Sequence, residues 1–150
     1  MAARRGPRPL PQPTQAHLLK RIWPDSTVTT KRDELLWTGC LQPTTISPQY
    51  EVVMRHRQRR FARPVVSVAH PPLDPEHRKQ LPHVYARDDL CLYSRGDWNW
   101  SMPLATTIVP WASEWLFHYE AWLVSGVWQG GGDPYYATAP AQPSRGDWAG

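Results

Sequence analysis

Tyr50-Glu51-Val52-Val53-Met54-Arg55-His56-Arg57 alternates its side chains, with Val52, Met54 and His56 on one side and Glu51, Val53, Arg55 and Arg57 on the other. Successive residues of an extended chain point to opposite faces, so this is the pattern of a half-buried strand whose second face carries arginines. Two further segments, Glu34 to Leu41 (ELLWTGCL) and Pro64 to Ala69 (PVVSVA), have strand composition, and Pro-containing turns separate the three. An antiparallel meander is expected. Its third strand starts at a proline and stays apolar, as a strand covered by a helix would.

Helical periodicity brackets the meander. Upstream, Leu18, Leu19, Ile22 and Trp23 recur at helical spacing from Thr14 to Trp23, with Thr14 as the expected N-cap and Pro24 as the stop. Downstream, Trp111, Ala112, Trp115, Leu116, Tyr119, Trp122 and Leu123 make one apolar stripe, while Ser113, Glu114, His118 and Glu120 lie largely off it. Pro110 suits the first turn of that helix and Gly126 its end. Between strands and second helix, Pro71 to Asp89 shows no regular period, and a loop of that length inside a compact domain is usually functional. The fold class expected is therefore α+β: N-terminal helix, antiparallel β-meander, long loop ending near a cysteine, and a packed C-terminal helix.

The chain has 150 residues, enough for one core. Its 17 prolines and 9 glycines concentrate towards the ends, so residues 1–13 and 133–150 are expected as flexible tails around a domain at 14–132. Lys and Arg number 17 against 13 Asp and Glu, and Arg55, Arg57, Arg59, Arg60 and Arg63 are crowded together. Such a strip can be a nucleic-acid footprint, but no aromatic platform interleaves with it. A solvated hairpin whose arginines keep a strand edge from pairing is the preferred reading, and no nucleic-acid partner is expected. No apolar run approaches the roughly 18 residues of a membrane span, so a cytoplasmic protein is expected. Ser-Arg-Gly-Asp-Trp occurs at 94–98 and again at 144–148 and is read as turn chemistry, not as an adhesion signal.

Two cysteines, Cys40 and Cys91, are too few for a disulfide framework, and with scattered histidines they lack metal-ligand spacing. No cofactor is expected either, since Gly130-Gly131-Gly132 is not followed by the Lys-Ser/Thr of a phosphate loop. Cys40 is read as a buried, inert thiol, since it sits on a strand with no partner group near it in sequence. Cys91 differs: it follows Leu81-Pro82-His83-Val84-Tyr85 and the polar run Arg87-Asp88-Asp89, where backbone is expected to reach the surface and display the thiol. A cysteine is nucleophilic as its thiolate, and at an ordinary pKa of about 8.5 a few per cent is already in that form at neutral pH. His83, eight residues before Cys91, is the candidate donor to a developing oxyanion. Asp88 and Asp89 are read as solvated turn acids, with orientation of an incoming lysine as the alternative. Tyr85 and Tyr93 are read as aromatic wall.

The order helix, meander, loop with a cysteine, packed helix resembles the ubiquitin-conjugating (E2) fold. In that family a His-Pro-Asn motif places its asparagine eight positions before the cysteine; here Leu81-Pro82-His83 stands in the motif's place and Leu90-Cys91-Leu92 follows. Trp37-Thr38-Gly39 is similar to the Trp-x-Gly of many E2 second strands. The series Leu90-Cys91-Leu92-Tyr93, Thr107-Ile108-Val109-Pro110-Trp111, Ser113-Glu114-Trp115-Leu116, Tyr119-Glu120, Trp122-Leu123 and Gly126-x-Trp128-x-Gly130-Gly131-Gly132 resembles the bacterial E2-like proteins of type II CBASS antiphage operons. The resemblance implies an E2/UBC-like core and a thioester-forming acyltransferase with Cys91 as nucleophile and His83 in the asparagine's place. It also implies a cGAS/DncV-like nucleotidyltransferase as the carried partner, an E1-like activating protein and target lysines. The rival readings are a cysteine hydrolase using Cys91 with a histidine, and a non-catalytic E2-like adaptor or basic nucleic-acid-binding module.

Overall fold

A computed structural model of the chain describes residues 5–73, 81–85 and 89–130. Four strands form one antiparallel sheet in chain order: β1 (Thr27–Lys31), β2 (Glu34–Leu41), β3 (Tyr50–Arg57) and β4 (Val65–His70). β2 and β3 have the bounds that their side-chain alternation indicates, and β4 is displaced by one residue. The register places Leu35 beside His56, Trp37 beside Met54, and Met54 beside Val66, so the buried residues of three strands line one face.

β1 is an element that the apolar pattern did not announce. Thr27-Val28-Thr29-Thr30-Lys31 turns only Val28 partly inward, against Trp37, and the rest faces solvent as an edge strand can. It is joined to β2 by the two-residue turn Arg32-Asp33, with Arg32 at φ 56°. β3 lies between β2 and β4, so its arginines do not guard an edge. Arg55 and Arg57 project from the outer face of a central strand, 3.6 and 3.7 Å from the carboxylate of Glu34 on β2, and Arg59 pairs with Asp33 at 3.0 Å.

The inner face of the sheet shares one buried core with two helices, α1 (Gln12–Ile22) and α2 (Ile108–Ser125). α1 starts earlier than its apolar period, after Pro11 and with Pro13 in the first turn, and Thr14 is not its cap. A proline there loses nothing, because the first amides of a helix have no intrahelical acceptor. The start falls within the stretch expected as a tail, and Leu10 bonds backbone to backbone with Trp100 at 2.8 Å. Gln15, polar yet buried, docks the helix. Its amide donates to the Met102 carbonyl at 3.0 Å and accepts from the Leu104 amide at 2.9 Å, at the start of a short 3₁₀ turn, Leu104–Thr106.

α2 follows the predicted stripe, with Pro110 in its first turn and Gly126 ending it at φ 75°, its amide bonded to the Trp122 carbonyl at 2.7 Å. The buried face is rotated slightly from the expected one: Ile108 and Val109 join it, and Leu123 is largely out in solvent. Among the described residues no helix is long and apolar enough to cross a membrane.

Candidate functional site

The loop that leads to Cys91 has more order than its sequence suggests. Tyr85 donates its amide to the Asp89 carbonyl at 2.7 Å, Cys91 donates to the His83 carbonyl at 2.8 Å, and Val84 forms an antiparallel bridge with Leu90. Residues 83–85 and 89–91 therefore run as a short hairpin. A bond from the Leu90 amide to the Val66 carbonyl at 2.8 Å fastens it to β4. Leu81, Pro82, His83 and Val84 are buried, which corrects the expectation that this backbone reaches the surface. Residues 74–80 and 86–88, with Arg87 and Asp88 among them, lie outside the described residues.

His83 is 0 % exposed, and its ring packs against Trp128, tilted by 33° with centroids 5.0 Å apart. Its φ of 56° is the left-handed region, uncommon for a residue other than glycine though several-fold enriched for histidine. At that φ its carbonyl accepts from both the Cys91 amide and, at 3.1 Å, the Trp115 indole nitrogen. His83 thus touches the cysteine through the backbone, while its ring packs in the aromatic layer.

Cys91 is 8 % exposed, so the thiol is not displayed on an open surface. It lines a cleft of about 240 Å³. Aromatic walls come from Tyr93, from Trp111 and Trp115 on α2, and from Trp128; besides Cys91, the polar groups in it are Ser94, Asp97, Glu114 and His118. The volume is below the roughly 300–1,000 Å³ of sites for drug-sized molecules. The thiol donates to the Tyr85 hydroxyl at 3.3 Å, and the Arg63 guanidinium lies 3.8 Å above the Tyr85 ring. Burial raises the Tyr85 phenol well above its ordinary pKa, helped by the bond from Cys91 and opposed by Arg63. Burial also pushes Tyr93 up to about 12, again against Arg63. Both phenols therefore stay protonated near neutrality; Tyr93 lines the cleft as expected, whereas Tyr85 is not part of its lining and meets it through the bond from the Cys91 thiol.

His118 is the residue of the cleft that sequence reasoning passed over. It was visible only as a polar position off the α2 stripe, but its Nε2 lies 3.7 Å from Oε1 of Glu114, one turn earlier. The signal available in sequence was the Glu-x-x-x-His spacing next to Trp111 and Trp115. The first Ser-Arg-Gly-Asp-Trp copy is a turn, closed by Asp97 and Ser94 bonds at 3.1 Å in both directions; the second lies outside the described residues. Cys40 is exposed, not buried as expected, because the alternation of β2 puts it on the face opposite Trp37 and Leu41, and it forms no disulfide with Cys91. Among the described residues no three His, Cys, Asp or Glu side chains are grouped as metal ligands would be.

No curated protein matches the chain. The family model described as Type II CBASS E2 protein matches residues 15–135, a span that includes the sheet, both sides of the Cys91 hairpin and α2.

Proposed function

The chain belongs to the type II CBASS E2 protein family, and on that premise we propose that it is an E2-like conjugating enzyme that carries the C-terminus of a partner as a thioester on Cys91. The partner is a cGAS/DncV-like nucleotidyltransferase of the same antiphage system, activated upstream by an E1-like protein. The Cys91 thiolate attacks the activated terminal carbonyl, the activating group leaves, and the acyl group stays on sulfur until an amine, a target lysine, displaces it. His83 serves this chemistry as a positioning residue, because its carbonyl fixes the Cys91 amide.

One observation carries the reading: a thiol set in the wall of an aromatic-lined cleft on a backbone hairpin anchored to both β4 and α2. Such a wall slows hydrolysis of a bound acyl group by excluding water. The reading is tested by mixing the chain with the neighbouring nucleotidyltransferase, activating protein and ATP. An adduct that reducing agent releases, and that is absent from Cys91→Ala, is the expected outcome; an adduct that persists in Cys91→Ala ends the proposal.

The presence of His118 and Glu114 in the same cleft favours a second reading, a cysteine hydrolase with an imidazole aligned by a carboxylate. Turnover of an isopeptide or ester reporter without any activating protein, lost in Cys91→Ala, distinguishes it.

A further inference from the structure

We propose that His118 is the proton acceptor for the incoming amine and that Glu114, beside it in the cleft at Cys91, stabilises the charge it gains. The inference rests on the thioester reading above. A lysine ammonium, with a pKa of about 10.4, is almost wholly protonated near neutrality and cannot attack a carbonyl until it loses a proton.

His118 shares the cleft with Cys91, so a group bound there meets both. The 3.7 Å between His118 Nε2 and Glu114 Oε1 exceeds a hydrogen bond, which leaves the nitrogen able to accept a proton with a carboxylate one helical turn away. The ring is held in place: Trp128 lies 5.9 Å away, and a Cβ at Gly130 would fall 2.6 Å from His118 Cδ2, so the chain passes over the imidazole only as glycine. Trp111 and Trp115 line the same cleft, and aromatic rings attract an ammonium. The other titratable groups in the cleft are Cys91, Tyr93 and Asp97, and Asp97 adds a second carboxylate for a cation.

The step balances. One proton of the ammonium passes to His118 Nε2; the freed nitrogen pair attacks the thioester carbonyl carbon, the C–N bond forms and the C–S bond breaks. Its electron pair goes to the Cys91 sulfur, which takes the second amine proton. His118 then releases its proton to water.

The test loads Cys91 by exchange with a glycine-terminated peptide thioester and follows single-turnover transfer to free lysine and to hydroxylamine, an amine that is unprotonated near neutrality and needs no base. His118→Gln is expected to slow transfer to lysine about 10²-fold while leaving loading and hydroxylamine transfer unchanged. The pH profile for lysine should lose one ionisation. Glu114→Gln, at an exposed position where misfolding is not a concern, should slow lysine transfer by about tenfold with hydroxylamine again spared. Equal slowing of both amines, or undiminished transfer to lysine in both variants, overturns the proposal. Failure of the wild type to load at all overturns the thioester reading itself, and this inference with it.

Discussion

The Cys91 amide and the His83 carbonyl are joined at 2.8 Å across a hairpin, and the same oxygen accepts the Trp115 indole N–H of α2 at 3.1 Å. One carbonyl therefore couples the cysteine strand to the helix that walls its cleft. The left-handed φ of His83 is what aims it.

Substitutions at 83 should sort by backbone preference and not by imidazole chemistry. Asparagine tolerates the left-handed region, so His83→Asn is expected to keep thioester formation and cost about 1 kcal/mol through the lost packing against Trp128. His83→Val, β-branched, should cost roughly 2 kcal/mol or more and impair loading. Thermal unfolding and thioester yield, measured together, check both.

His56 makes stability depend on pH. Burial on the inner face of β3, edge-on to Trp98, lowers its pKa from 6.5 to about 4. The folded state thus favours neutral imidazole, and the unfolded chain binds the extra proton between those values. The contribution is complete above pH 6.5 and is lost progressively as pH falls towards 4, up to about 3 kcal/mol. Denaturant midpoints at pH 7 and 5 should diverge in the wild type and draw together in His56→Phe.

Gln15→Leu keeps a buried side chain of similar size but strands the Met102 carbonyl and the Leu104 amide. A loss of about 2–4 kcal/mol is expected in denaturant unfolding. A neutral result would mean that α1 is docked by its apolar contacts alone.

Gly39→Ala places a methyl 2.4 Å from Cζ2 of Trp37, whose indole is held by Ser26 Oγ at 2.8 Å and so cannot move away freely. Overpacking of about 1–3 kcal/mol should appear as a lowered melting temperature.

The sheet and α2 were legible because each is half buried, and half burial writes a period into the sequence: two along Tyr50–Arg57, three to four along α2. β1 was illegible for the opposite reason. An edge strand with one inward residue, Val28, has no apolar pattern to write. The cleft was legible at Cys91, where a local motif marks it, and not at His118, Asp97 or Trp128, which only the packing of α2 and the segment after it brings to the thiol. His83 was recognisable by its spacing, eight residues before Cys91, and was read as a donor to an oxyanion. That its carbonyl does the holding depends on a backbone dihedral that residue type does not specify.

The most direct measurement compares intact masses of the wild type, Cys91→Ser and Cys91→Ala after incubation with the nucleotidyltransferase, activating protein and ATP. The wild type should gain the partner's mass less one water and lose it to thiol. Cys91→Ser should gain the same mass as an ester that resists thiol, and Cys91→Ala should gain nothing. An adduct of equal yield on all three chains, or none on the wild type, would contradict a carrier role for Cys91.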